Sequence, residues 1–185
     1  GIKEIPLSKY YDMSKFVSML QQYHYSMIVD KTIVFENDLF NLYRDNLIVI
    51  SQNMLANSFR FFEKNKILDE TIALGEQIKE DSVFTAKAVD MLELIFIDMK
   101  EALLFSEYQK DFYFAKLLND RGFILNAITI INEMLGEYIV ESAQQLSPVV
   151  QARIQQYLDR IELTRSSRKA FYTFYKSARD FFVSH

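Results

Sequence analysis

Arg179 and His185, near the C-terminal end of the chain, are the residues whose types best suit chemistry. Histidine titrates near neutral pH and can transfer protons. Arginine carries a permanent charge and a fork of N–H donors that suits phosphate. Together they could cleave RNA without a metal ion. The histidine would move protons between the ribose 2′-hydroxyl and the leaving oxygen, and the arginine would stabilise charge on the phosphate.

The spacing of Arg179 and His185 sets a geometric condition on such a site. On a regular α-helix, residues six apart point about 240° away from each other and lie about 9 Å apart along the axis. The two side chains of one continuous helix would therefore not reach the same phosphate. Either the helix ends between them, or the site combines residues from two copies of the chain.

Positive charge is concentrated around these two residues. The whole chain has a formal net charge of −4, which is atypical of general nucleic-acid binders. Residues 151–185 nevertheless contain seven Arg or Lys against three Asp or Glu, a balance that fits an anionic partner. This end offers candidate RNA-binding residues: Arg168, Lys169 and Lys176 for phosphates and Tyr175 for base stacking. An ordinary solvated helix surface would explain the same cluster.

Several other classes of site are excluded by composition. The chain has no cysteine, only two histidines and four glycines, so zinc centres and glycine-rich nucleotide loops are not expected. We predict neither a cofactor nor a metal. His24 lies among Tyr23, Tyr25 and Met27 and is expected to be a structural or surface histidine. No apolar run could span a bilayer and no signal peptide is evident, which favours a cytoplasmic protein without membrane contact.

The elements that position these residues are predicted to be helices throughout. Apolar residues recur at three- and four-residue spacing along almost the whole chain, which predicts an all-α bundle of about seven or eight helices with little or no sheet. We expect one helical domain over residues 1–185. Asp12 is expected to cap the first helix. Residues 32–35 are the best strand candidate, with a loop packed on the surface as the alternative.

Local signals predict where the later helices begin and end. The pattern over residues 36–64 is helical, with a candidate break near Asp45 and a stop at Asn65. Asp69 and Ser82 are expected to cap the next two helices. Gly122 should end the helix over 106–120 in a left-handed conformation. The next helix, over 123–144, should form a hairpin with it and carry an apolar stripe that includes Ile124, Ala127, Ile128 and Ile131.

Two segments of the chain resemble one known family. Arg179-Asp180 followed by His185 resembles the signature of HEPN ribonucleases, in which an arginine and a polar residue precede a histidine. Residues 117–133, LLNDRGFILNAITIINE, resemble the helical part of CRISPR-associated proteins of the DxTHG type, which join a CARF sensor domain to a HEPN domain. The two segments follow in the same order as in that family, and the resemblance is most specific over residues 106–185.

The resemblance implies a metal-independent endoribonuclease that cleaves single-stranded RNA in CRISPR-linked antiviral defence and leaves a 2′,3′-cyclic phosphate. Arg179 and His185 would be catalytic, Asp180 would support them, and a homodimer would complete the site. Gly1 in place of methionine indicates a fragment lacking an N-terminal sensor domain, which the resemblance implies would bind a cyclic oligonucleotide. The alternative is a non-catalytic helical module for dimerisation or protein interaction, in which Arg179 makes only a surface salt bridge.

Overall fold

Helices joined by short loops and turns make up the described part of the chain. The computed structural model describes residues 7–143 and four further helical positions, Pro148, Ala152, Arg153 and Gln156. Over these residues there is no strand, which confirms the all-α prediction. None of the described helices is both long and apolar enough to cross a membrane. The helices are α1 (Leu7–Ser26), α2 (Asp38–Leu55), α3 (Arg60–Lys64), α4 (Ile67–Asp81), α5 (Val83–Ala102), α6 (Glu107–Asp120) and α7 (Ile124–Ala143).

The chain divides into two compact units, with the boundary inside α7. Unit 1 is Gly1–Met134 and unit 2 is Leu135–His185. Unit 1 contains α1 to α6 and the first half of α7. In unit 2 the structure describes the second half of α7 and the four further helical positions.

The core of unit 1 forms where α5 packs against α1 and α4, and where α4 packs against α2. The Phe16 ring of α1 stacks on Phe40 of α2 with centroids 4.0 Å apart. Gly75 of α4 faces α5, and a Cβ atom there would lie only 2.9 Å from Val89 Cγ1. A larger residue would force α4 and α5 apart. Glycine weakens helix α4 at this position, but it allows the two helices to pack closely.

Asp12 joins α1 to the start of α2. Its buried carboxylate accepts hydrogen bonds from the backbone N–H groups of Glu36 at 3.1 Å and Asn37 at 3.0 Å. The prediction that Asp12 caps the first helix is wrong, because α1 already begins at Leu7. Residues 32–35 are a loop rather than a strand, and Phe35 packs edge-on against Phe16 with centroids 5.6 Å apart.

Other helix ends follow the local signals in part. Ser82 caps α5 as predicted, since its hydroxyl accepts a hydrogen bond from Phe84 N at 3.1 Å. Asn65 ends α3 as predicted. Asp69 is not a cap but lies in the first turn of α4, which begins at Ile67. The break expected near Asp45 comes later, after Leu55, because Asn57 adopts a positive φ of 53° there.

The turn between α6 and α7 forms as predicted. Gly122 has a φ of 83°, and the Phe123 N–H donates to the Leu118 carbonyl at 2.9 Å. The hairpin of α6 with α7 stays a prediction. The Asn126 amide donates to the Leu55 carbonyl at 2.7 Å, so that α7 begins against the end of α2.

The buried side of α7 follows the predicted stripe in part. Ala127 and Ile130 are buried and Ile131 packs against the core, whereas Ile124 and Ile128 are 56% and 50% exposed. The stripe is therefore confirmed at Ala127 and Ile131 and wrong at Ile124 and Ile128.

Candidate functional site

The site residues predicted from sequence all fall outside the described residues of the structure. Their proposed roles therefore stay predictions. They are the catalytic Arg179 and His185, the supporting Asp180, and the RNA-binding Arg168, Lys169, Tyr175 and Lys176.

A second pairing of an arginine with a histidine lies inside unit 1. Arg121 directly follows α6, and its side chain turns back so that Nη1 donates to the Leu117 carbonyl at 3.3 Å. His24 lies in the last turn of α1 and contacts the edge of the Tyr25 ring, with centroids 5.2 Å apart. Burial, followed by the positive charge of Arg121, lowers the pKa of His24.

Three buried polar atoms around Arg121 have no hydrogen-bond partner among the described residues. They are Nε of Arg121, Nδ1 of His24 and the hydroxyl oxygen of Tyr23. Most buried polar atoms in folded proteins are paired, and an unpaired one costs about 1–3 kcal/mol. Three of them in one place therefore require an explanation. We call Tyr23, His24, Tyr113 and Arg121 the Arg121 cluster, because the charge of Arg121 acts on the other three.

The tyrosine hydroxyls of the cluster stay neutral. Burial raises the pKa of Tyr23, and Ser51 and Arg121 only partly oppose this. Ser51 lies close to the Tyr23 hydroxyl, but its own hydroxyl is within 2.6 Å of the Met27 carbonyl and 2.8 Å of the Leu47 carbonyl. The Tyr23 hydroxyl itself has no partner that meets ordinary hydrogen-bond geometry among the described residues. Burial, followed by the charge of Asp98, raises the pKa of Tyr113 to about 12.

The charge of the cluster at neutral pH comes from Arg121 alone. Burial, together with the positive charge of Arg121, lowers the pKa of His24, so its imidazole is neutral at pH 7. Burial also lowers the pKa of Arg121, although Tyr113, Tyr23 and Asp120 oppose this. Because guanidinium starts so far above neutrality, Arg121 remains charged.

Three other cations of the described chain, buried or partly buried, are matched with carboxylates. Lys79 pairs with Glu76 and Asp90, each at 2.7 Å, and with Glu93. Lys110 pairs with Glu107 at 2.9 Å and with Glu63. Arg44 pairs with Asp45 at 2.6 Å.

Arg121 differs from these cations. Within the described residues it makes no ion pair, and its one hydrogen bond goes to a backbone carbonyl. Its Nε is a buried donor without an acceptor among the described residues. A metal ion is not favoured, since no group of three His, Asp or Glu in the described part of the chain could hold one.

No short motif links Arg121 with His24. The sequence places Arg121 in the turn before Gly122 and predicts a structural or surface role for His24. Comparison with known proteins adds no relative, since no protein-family model, no curated protein and no solved structure matches this chain.

Proposed function

We propose that this chain is a metal-independent endoribonuclease that cleaves single-stranded RNA. The observation that carries the proposal is the order of its segments: the Arg121-Gly122 turn, a helix, and then Arg179-Asp180 followed by His185. An all-helical fold and a left-handed Gly122 are consistent with the HEPN resemblance. By that resemblance the enzyme works in the cytoplasm in CRISPR-linked antiviral defence.

In the proposed reaction, His185 accepts the proton of the ribose 2′-hydroxyl as its oxygen attacks the adjacent phosphorus. The bond from phosphorus to the 5′-oxygen breaks, and that oxygen receives the proton from the His185 imidazolium. The products are a 2′,3′-cyclic phosphate and a free 5′-hydroxyl. Arg179 stabilises the charge that develops on the phosphoryl oxygens, and Asp180 supports it. Two copies of the chain bring their Arg179 and His185 side chains together in one composite site.

The basic C-terminal end is proposed to hold the RNA strand. Arg168, Lys169 and Lys176 would contact successive phosphates, and Tyr175 would stack on a base. Because phosphate contacts release counterions, the affinity for single-stranded RNA should fall as salt rises. The acidic remainder of the chain would not attract RNA by itself.

The test is cleavage of a fluorophore-quencher RNA in the presence of EDTA. We expect wild-type activity to survive chelation, and Arg179→Ala and His185→Ala each to lose at least about a hundredfold, the usual contribution of a positioned acid, base or charge stabiliser. Arg153→Ala is the matched control, because Arg153 is a surface-exposed arginine in the same basic stretch. Equal activity in wild type and both site variants would refute the proposal. A strictly monomeric active protein would refute the composite site.

A non-catalytic interaction module is the second candidate. It is favoured by the start of α7, where Ile124 is 56%, Leu125 81% and Ile128 50% exposed. Apolar clusters of this kind often mark contact surfaces between proteins. Two results together would favour this interaction module over the ribonuclease. The wild-type chain would be inactive on RNA, and Leu125→Asp would abolish its self-association in sedimentation experiments.

A further inference from the structure

The second half of α5 exposes large apolar side chains. Leu94 is 64% exposed, Ile97 is 38% exposed, and Leu104, in the turn directly after the helix, is 86% exposed. The Leu104 N–H donates to the Glu101 carbonyl at 3.0 Å, which continues the helical path beyond the end of α5. The exposed side of a surface helix is normally polar. A run of exposed apolar residues on one side therefore indicates a contact surface for another molecule.

Two exposed carboxylates lie among these apolar side chains. Asp98 and Glu101 follow Leu94 by four and seven positions. Residues at these spacings share one side of a helix, as Ile97 and Leu104 also do. Neither carboxylate forms an ion pair within the described residues. We call Leu94, Ile97, Asp98, Glu101 and Leu104 the α5 face.

The one lysine in this half of α5 does not neutralise the α5 face. Lys100 forms an ion pair with Asp69 of α4 instead. The surrounding body of the protein is also acidic, since residues 7–134 contain 13 Lys or Arg against 19 Asp or Glu. The α5 face therefore combines exposed apolar area with negative charge that has no paired cation in the described part of the chain.

This charge favours one class of occupant over the others. RNA and an anionic membrane surface would both be repelled by Asp98 and Glu101. A second copy of the chain would bring the same carboxylates near each other around a twofold axis, and like charges disfavour such a contact. A basic helix with one apolar side matches both properties of the face. Its apolar residues would cover Leu94, Ile97 and Leu104, and its Lys or Arg side chains would pair with the carboxylates.

We propose that the α5 face is a docking surface for a basic amphipathic helix of a partner protein. The path from Leu94 to Leu104 is about 15 Å long, which matches about three turns of such a helix. In the partner, apolar residues recur every three to four positions and are flanked by Lys or Arg. This surface is independent of the proposed ribonuclease activity.

The first experiment measures the binding of a labelled helical peptide to the full chain by fluorescence anisotropy. The probe is a peptide of about 18 residues of Leu and Lys, with Leu at the spacing that makes one apolar side. The matched control peptide has Glu in place of every Lys. We expect the Leu/Lys peptide to bind at least about tenfold more tightly, because its charge is opposite to that of Asp98 and Glu101. Equal affinities would overturn the proposal.

The second experiment locates the binding on the chain. Leu94→Ala with Leu104→Ala should weaken binding of the Leu/Lys peptide about tenfold, since both side chains lose apolar contact area. Leu42→Ala is the matched control, because Leu42 of α2 is also exposed, at 52%, and should leave the affinity unchanged. All three side chains are exposed, so these variants are expected to fold. An undiminished affinity in the double variant would refute the site.

The third measurement tests the carboxylates. Asp98→Asn with Glu101→Gln should weaken binding of the Leu/Lys peptide about fivefold, because exposed ion pairs are modest in strength. It should also make the affinity less sensitive to salt. Glu70→Gln with Glu80→Gln is the control, since it removes the same charge from exposed positions of α4. An equal loss in the two double variants would indicate non-specific attraction to an acidic protein and would contradict the proposal.

Two other occupants give distinct results. Self-association in sedimentation experiments that is lost in the Leu94→Ala, Leu104→Ala variant would assign the α5 face to a second copy of the chain. Adsorption to vesicles of anionic lipid that is lost in the same variant would assign it to a membrane. Either result would replace the basic helix as the partner and overturn the proposal.

Discussion

Two charged clusters in unit 1 differ in how completely their members are paired. Between α4 and α5, Lys79 lies among Glu76, Asp90 and Glu93 and binds all three. Desolvation by itself would lower the pKa of Lys79, but its hydrogen bonds to these carboxylates raise it above the ordinary value. In the Arg121 cluster the cation has no carboxylate among the described residues, and two neighbouring side chains each contain an unpaired polar atom.

The difference separates a cluster that stabilises the fold from one that does not. A fully paired cluster adds to stability and leaves no buried donor without an acceptor. In an incompletely paired cluster, the unpaired polar atoms lower the stability of the folded protein. The comparison therefore predicts that Lys79 matters more for folding than Arg121.

The largest stability effect is expected at Lys79. Lys79→Met would leave the Glu93 side chain, only 18% exposed, beside two other acids without a cation. We expect the free energy of unfolding in urea to fall by about 2 kcal/mol, because removing one partner of a partly buried ion pair strands the other. Lys87→Met is the matched control on α5, since Lys87 is exposed and should change stability by less than about 0.5 kcal/mol. Equal effects at the two lysines would show that pairing does not stabilise this cluster.

A smaller stability effect is expected at Arg121. Arg121→Met loses one hydrogen bond to the Leu117 carbonyl but also removes a desolvated charge that has no counter-ion in the described chain. We therefore expect a change of less than about 1 kcal/mol, measured as for Lys79. A loss as large as that of Lys79→Met would mean that Arg121 acts mainly as a structural residue, and the comparison between the clusters would fail.

Helices and some of their ends were predictable because their signals are local. The periodic spacing of apolar residues is enough for the all-α fold, and Ser82 and Gly122 act on backbone groups within a few residues of themselves. The prediction that Asp12 caps the first helix was wrong because its hydrogen-bond partners, Glu36 and Asn37, lie 24 and 25 positions away. The contact of Asn126 with Leu55 has no local signal for the same reason, since 71 positions separate the two residues.

Candidate sites, too, can be predicted from sequence only where their residues are close together in the chain. Arg179 and His185 are close in sequence, so their spacing could be read directly and compared with a family signature. The charge of Arg121 acts on the pKa of His24 although the two residues are far apart in sequence, and no short motif encodes that relation. Gly75 is a similar case: its proximity to Val89 depends on how closely α4 and α5 pack, and the sequence shows only a glycine inside a helix.

The smallest effect is expected in the pH dependence of stability, through His24. Folded His24 binds a proton less readily than unfolded His24, because burial and Arg121 lower its pKa. As the pH falls through about 6.5, the unfolded chain therefore takes up this proton first and the folded state loses stability, until the pH passes the lower folded pKa. His24→Gln should lose less stability than wild type between pH 7 and 5 in urea titrations. If the free energy of unfolding falls equally with pH in wild type and His24→Gln, burial and Arg121 do not lower the pKa of His24. The Arg121 cluster, which is defined by the charge of Arg121 acting on its neighbours, would then lose His24 as a member.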